Sequence, residues 1–170
     1  MRSVLVALVL AAIPACSVDD GSTPTCKVAS TDTCTGDTVC IGTTCQNAFP
    51  HAYAITQLSI TAPQLQPNGM PWTSAPDGSP NLYADISVAG TKIMTTTTNP
   101  MSYNATFAGP YAVTLDANVD LDVKASNSDG ADMQLVYDCD VPMISALVLR
   151  THYVLCSGIG TTLNYTIEPM

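Results

Sequence analysis

The sequence predicts an all-β protein: an antiparallel β-sandwich preceded by a small disulfide-rich segment. Three observations lead to this prediction. Short alternations of apolar and polar residues recur between Gly, Pro, Asn and Asp breaks, as in half-buried strands. Of the seven cysteines, six lie beyond residue 25, an even number that suits disulfides. The chain contains no heptad pattern and no glycine-rich phosphate-binding motif.

The first fifteen residues predict a secretory signal peptide. Arg2 supplies a positive start, and the apolar run 4–13 is too short to cross a bilayer as a stable helix. The ending Ile-Pro-Ala-Cys resembles the cleavage box of bacterial lipoproteins. That resemblance implies lipid modification of Cys16, a polar tether over 16–25 and, because Ser17 follows, an outer-membrane or cell-surface location. The alternative is ordinary signal cleavage that leaves Cys16 free.

The remaining cysteines predict a disulfide framework typical of exported chains. They are Cys26, Cys34, Cys40, Cys45, Cys139 and Cys156. The first four lie within 26–46, a segment with almost no large apolar side chains, which crosslinks must therefore define. Zinc is the competing explanation, but no Cys-x-x-Cys pair is present. We expect a small disulfide knot over 26–46, with three pairings open.

The net charge of −9 limits the kinds of partner that the chain can bind. A surface this acidic repels nucleic acid and anionic lipid, so nucleic-acid binding is excluded as a function. Acidity also suits a cation-binding surface, although on an exported protein it often serves solubility alone.

The strand pattern is clearest in three stretches. Apolar residues occupy every second position over 82–88, 119–125 and 163–167, with polar residues between them. One stretch is ambiguous: the apolar run 141–156 suits either a buried strand or a short helix. The alternations predict half-buried strands of an antiparallel sandwich or barrel.

Residues 91–107 resemble part of the C2 domain family. A Lys/Thr-rich strand leads into an Asn-Pro-x-x-aromatic-Asn-x-x-Phe pattern, which is matched by Asn99, Pro100, Tyr103, Asn104 and Phe107. Tyr stands where the family usually has Trp, and Ala105 where it usually has Glu. Pro100 prevents the strand from continuing, and the two aromatic residues, four apart, point the same way from the next strand.

Three further stretches resemble C2 strands in the correct order: 55–65, 76–88 and 121–132. The resemblance implies an eight-stranded antiparallel C2-like sandwich over 51–170. It also implies the circular variant in which the first strand runs directly into the first calcium loop. Cys139 and Cys156 should then clip the sixth and seventh strands or their connection. The alternative is an unrelated immunoglobulin-type sandwich.

By the same resemblance, loops at one end of the sandwich would hold calcium. The matching positions are Asp77, Asn81, Asn127, Asp129 and Asp132. Two amides among the five ligands lower the charge, so we expect weak affinity. Residues of these types are also common in turns that bind no metal. The alternative is therefore a degenerate, metal-free loop.

The single tryptophan, Trp72, lies in the first long loop and is a candidate partner contact. An exposed loop aromatic can enter a membrane or stack on a sugar. The alternative is a tryptophan folded down as the small core of its own loop.

The sequence favours a binding protein over an enzyme. His51 and His152 have no neighbouring nucleophile motif, and neither HExxH nor GxSxG occurs. We expect a lipid-anchored C2-like module that recognises a lipid, glycan or protein partner with weak calcium dependence. The alternative is an inert spacer whose cysteine-rich segment makes a protein–protein contact.

Overall fold

The computed structural model describes Cys26 and residues 32–72, 78–129 and 132–170, without the side chains of residues 132 and 133. The predicted signal peptide (1–15), tether (16–25) and Cys16 lie outside these residues. In the described part the strands are β1 (Thr38–Ile41), β2 (Thr44–Asn47), β3 (His51–Thr61), β4 (Leu82–Val88), β5 (Thr91–Thr95), β6 (Asn104–Phe107), β7 (Tyr111–Leu115), β8 (Leu121–Asp129), β9 (Asp132–Val141), β10 (Tyr153–Gly158) and β11 (Thr161–Pro169), with one helix, α1 (Ala146–Thr151).

Two antiparallel sheets form the sandwich. One has the order β5-β4-β8-β9, and the other has the order β10-β11-β3, with β6 and β7 both beside β3. Strand β6 pairs with Leu58–Thr61 and β7 pairs with His51–Ile55, so the two are halves of one interrupted strand. Each sheet therefore has four strand positions, which confirms the predicted eight-stranded sandwich.

Alternate side chains of both sheets form the core between them. Leu163, Tyr165 and Ile167 of β11 are fully buried and face Leu121 and Val123 of β8 across the same cluster. The polar residues between them point outward. The alternation read from the sequence therefore marks the inner face of each sheet.

The ambiguous stretch 141–156 divides into a helix and a strand. Helix α1 follows Ser145 and ends at His152, whose φ of 54° is left-handed and whose N–H donates to the Leu149 carbonyl oxygen. Strand β10 begins at the next residue. An apolar run of this length does not show where the helix ends and the strand begins, because both elements bury apolar side chains of the run.

The cysteine-rich unit is a β1–β2 hairpin held by Cys26–Cys40 and Cys34–Cys45 disulfides. Asp32 is buried there, and its carboxylate accepts the N–H groups of Cys34 and Cys40. The unit packs on the sandwich, since Val39 belongs to the main core. Arg150 fixes the contact: its Nη1 donates to the carbonyl oxygens of Gly36 (2.8 Å) and Thr38 (3.4 Å).

The third disulfide joins the two sheets. Cys139 lies on β9 and Cys156 on β10, which are the sixth and seventh strand positions and edge strands of opposite sheets. The bridge therefore holds the two edges of the sandwich together on one side. Among the described residues, no helix has the length and apolarity needed to cross a membrane.

Removing this bridge should weaken the whole sandwich. Replacing both Cys139 and Cys156 with Ala frees a 17-residue loop in the unfolded chain, and we expect a loss of about 3 kcal/mol in the free energy of unfolding. Urea denaturation followed by circular dichroism measures it. A loss below about 1 kcal/mol would show that the core alone fixes the two edges.

The outer face of the β5-β4-β8-β9 sheet is charged. The Nζ atom of Lys124 lies 3.0 Å from a carboxylate oxygen of Asp122 and 3.3 Å from one of Asp138. The pKa of Asp122 is raised to about 6, first by burial and then by its hydrogen bond with Asp138, while Lys124 opposes the rise.

This carboxyl should give the protein a measurable pH dependence. Because the pKa of Asp122 is higher in the folded chain, the folded state binds more protons between pH of about 4 and about 6. The free energy of unfolding should therefore decrease as pH rises through this window. Urea denaturation at stepped pH measures this slope, and Asp122→Asn should flatten it. The control Asp116→Asn, at an exposed position, should leave the slope unchanged. An unchanged slope in Asp122→Asn would assign the dependence to other groups.

Candidate binding site at the loop pole

Strand directions bring several loops to one end of the sandwich, which we call the loop pole. It consists of the described parts of the β3–β4 loop (62–72 and 78–81), the β5–β6 loop (96–103), the adjoining ends of β8 and β9, and the β10–β11 turn (159–160). Backbone hydrogen bonds connect these segments. Ala62 N–H donates to the Tyr103 carbonyl oxygen (2.8 Å), and Ser128 N–H donates to that of Asn81 (2.9 Å).

Asn127 connects three segments of the pole. Its side chain is fully buried near the end of β8. Its Oδ1 accepts the Asn81 N–H (2.8 Å), while its Nδ2 donates to the Trp72 carbonyl oxygen (2.9 Å) and to Gln134 Oε1 (3.4 Å). A buried amide bonded at both ends orders the backbone around it.

Asn81 completes this arrangement. Its Oδ1 accepts the Met101 N–H (3.0 Å), and its Nδ2 donates to the Ser128 carbonyl oxygen (3.1 Å). The oxygen atoms of both predicted amide ligands, Asn81 and Asn127, thus accept backbone N–H groups. Their role in this structure is to join the loops.

The predicted acidic ligands divide between described and undescribed residues. Asp129 is half-buried at the end of β8 and lies opposite Asp132 in register. Asp77 and the side chain of Asp132 lie outside the described residues. Gly78, next to Asp77, is buried at the pole, where its carbonyl oxygen accepts the Trp72 N–H (3.0 Å). Position 78 must be glycine, because a Cβ there would lie 2.8 Å from Pro71 Cβ at a φ of +65°.

Among the described side chains, the one group with metal-ligand spacing is Cys26, Cys34 and Cys45. All three are engaged in disulfides. Zinc therefore does not explain the cysteine-rich unit.

Trp72, the candidate partner contact, is folded down into its own loop, as the alternative expected. The residue is only 2% exposed, and its Nε1–H donates to the Pro63 carbonyl oxygen (2.7 Å). The indole fills the interior of the β3–β4 loop, because burial of its large ring with a bonded N–H stabilises a long loop that lacks strands of its own.

The side chains exposed at the loop pole are other ones, which the sequence reading missed. Leu65 is 52% exposed, Met70 59%, Met101 62% and Ile159 87%. Leu65 and Ile159 line the same surface depression. The available signal was the neighbouring residues: each is a large apolar residue beside Gly, Pro or Gln. Leu65 was hidden because the stretch 55–65 was predicted as a strand, whereas β3 ends at Thr61.

Solved structures share this architecture. A single C2 domain is 15% identical with a TM-score of 0.53, over 69% of this chain and 96% of that one. The calcium-bound tandem C2 domains of extended synaptotagmin 2 are 9% identical with a TM-score of 0.53, over 71% of this chain and 45% of that one. Human GIVD cytosolic phospholipase A2 in complex with methyl gamma-linolenyl fluorophosphonate is 10% identical with a TM-score of 0.53, over 69% of this chain and 16% of that one.

The fold is a C2-like β-sandwich. No protein-family model and no curated protein matches the chain. The identities to the solved C2 structures are low enough that the likeness shows the fold alone, and this chain spans less than half of the two multidomain proteins. The C2-like expectation from the Asn-Pro stretch is confirmed, and the immunoglobulin-type alternative is set aside.

The Asn127 side chain should be essential to the pole. Asn127→Ala leaves the Asn81 N–H and the Trp72 carbonyl oxygen without their partner, so we expect a loss of about 2–3 kcal/mol in the free energy of unfolding. Asn104→Ala, which removes one exposed hydrogen bond to Thr61, should cost about 1 kcal/mol or less. Urea denaturation compares the two variants, and equal losses would contradict the role assigned to Asn127.

Proposed function

We propose that the protein is a non-enzymatic, lipid-anchored surface protein whose loop pole binds a phospholipid surface with weak calcium dependence. The observation that carries this proposal is the set of exposed apolar side chains in three different loops: Leu65, Met70, Met101 and Ile159. Apolar side chains grouped at one end of a C2-like sandwich are suited to enter an interface between water and lipid.

Burial of these side chains supplies the affinity. Moving one large aliphatic side chain fully out of water contributes about 1.5–3 kcal/mol, from which the cost of association is subtracted. The net charge of −9 opposes approach to anionic headgroups. A cation held at the pole would reduce that repulsion and would bridge carboxylates to lipid phosphates.

Calcium fits the oxygen chemistry of the pole, although with few ligands. The candidate carboxylates are Asp77, Asp129 and Asp132, since the oxygens of Asn81 and Asn127 accept backbone N–H groups. Three carboxylates suit the weak range of extracellular modules, with Kd of about 10⁻⁴–10⁻³ M. The calcium-bound extended synaptotagmin with the same fold supports this assignment.

Within the described residues, the cysteine-rich unit and the loop pole lie at opposite ends of the sandwich. The cysteine-rich unit contacts the start of β3, where the Tyr53 hydroxyl donates to the Ala48 carbonyl oxygen (2.8 Å), whereas β3 ends at the pole. An eleven-residue strand spans about 36 Å.

The alternative is an inert spacer whose cysteine-rich unit makes a protein contact. Glycan or protein recognition by the pole is a further alternative that the same experiment addresses. Both predict that lipid vesicles do not bind the pole.

Vesicle flotation tests the proposal with the exported chain carrying Cys16→Ser, so that no acyl chain contributes. With phosphatidylcholine–phosphatidylserine vesicles, millimolar Ca²⁺ should increase binding relative to chelator. Combining Ile159→Ser with Met101→Ser should weaken binding at least about tenfold, because two anchors are lost.

The matched control is Leu147→Ser, which removes an exposed apolar side chain (66%) from α1, at the opposite end of the sandwich. This variant should float like the unchanged chain. Failure of the unchanged chain to float, or an equal loss in the control, would reject the lipid-binding pole.

A further inference from the structure

Strand β10 lies at an edge of the sheet that also contains β11 and β3. Among the described strands, it pairs with β11 alone. The carbonyl oxygen of His152 accepts the Ile167 N–H, so even-numbered residues of this stretch direct their backbone groups to β11. Tyr153, Leu155 and Ser157 therefore direct theirs outward. Within the described part of the chain, the outward N–H and carbonyl groups of Leu155 and Ser157 have no hydrogen-bond partner.

The other sheet edges carry features that discourage further pairing. Strand β5 is short and bears Lys92, and β6 is separated from β7 by a stretch containing Pro110. Strand β9 bears Asp138 and Asp140. Charges, prolines and interruptions of this kind block the addition of a strand. By contrast, β10 reads Tyr-Val-Leu-Cys-Ser-Gly, with no charge and no proline.

An apolar groove runs along this open edge. It lies between β10, α1 and the end of β9, and its lining includes Val141, Pro142, Leu147, Val148 and Val154. Three large side chains around it are well exposed: Leu147 at 66%, Leu155 at 57% and Tyr153 at 47%. A strand laid against β10 would cover this groove, with every second side chain directed into it.

We propose that β10 and the groove beside it form a docking site for an extended segment of a partner protein, which pairs with β10 and so adds a further strand to its sheet. The backbone groups of Leu155 and Ser157 would bond the incoming backbone, and the groove would take its alternate apolar side chains. The groove lies beside α1, at the end opposite the loop pole, although β10 itself runs on to the turn at 159–160. The proposal does not depend on lipid binding by the pole.

Charge indicates the chemistry of the incoming segment. Asp140 lines the groove, whereas Asp138, two residues earlier on the same edge strand, is paired with Lys124. Arg150 of α1 does not offset the charge of Asp140, because its guanidinium donates to the cysteine-rich unit. The segment should therefore carry Lys or Arg between its apolar residues. A second copy of this chain, itself at −9, is disfavoured as the occupant.

A short synthetic peptide in which valine alternates with lysine tests the site on the Cys16→Ser chain. Fluorescence anisotropy should show saturable binding at least about tenfold tighter than that of a valine–glutamate peptide of equal length. Backbone NMR signals of Leu155 and Ser157 should shift on binding. Absence of binding, equal binding of the two peptides, or shifts confined to another edge would overturn the proposal.

Two variants locate the contact. Leu155→Pro removes an outward N–H that β11 does not use, and Leu147→Lys places a charge in the groove; each should reduce binding at least about tenfold. Because Leu147→Lys changes α1 and not β10, it still tests the site if Leu155→Pro does not fold. Ile93→Lys, at an exposed position (43%) on the edge strand β5 of the other sheet, is the matched control and should bind normally. Unchanged binding in Leu147→Lys, or a dimer in sedimentation that excludes the peptide, would contradict the proposed occupant.

Discussion

The buried Asn127 amide is the contact on which the loop pole depends. A β-sandwich fixes its strands by core packing, but long loops have no such support and need hydrogen bonds of their own. Asn127 provides them from within β8, where both ends of its side chain bond the backbone or side chains of other segments. The Asn81 side chain, just before β4, likewise bonds the backbone of two other segments. The loop tips are consequently held as one surface.

Two ends and one side of the sandwich have different chemistry. The loop pole has apolar tips and the half-buried Asp129. At the opposite end, Arg150 attaches the cysteine-rich unit. On the side formed by β9 and β10, a disulfide lies next to an unprotected strand edge. The exposed apolar side chains of the pole and those that line the groove beside α1 are different, so a single module of this kind could bind a lipid surface and a peptide through separate side chains.

Much of the fold could be predicted from the sequence. Alternation over 82–88 and 163–167 marked buried faces, and the Asn-Pro stretch placed the turn before β6, because both signals are local. The site was less accessible. Asn81 and Asn127 have the residue type of ligands, and only their hydrogen-bond partners, 46 residues apart, show that they join loops. The burial of Trp72 likewise depends on the distant Pro63 carbonyl, and the open edge of β10 depends on which strands pair.

Native-state hydrogen exchange of the backbone amides at the pole is the decisive measurement. The N–H groups of Asn81, Met101 and Ser128 lie in loops or at a strand end, yet each donates to the asparagine pair or its neighbours. If Asn127 and Asn81 hold the pole, these amides should exchange with free energies close to that of global unfolding. Exchange at the rate of the exposed loop residue Asn68 would show that the loops move separately and that no fixed recognition surface exists.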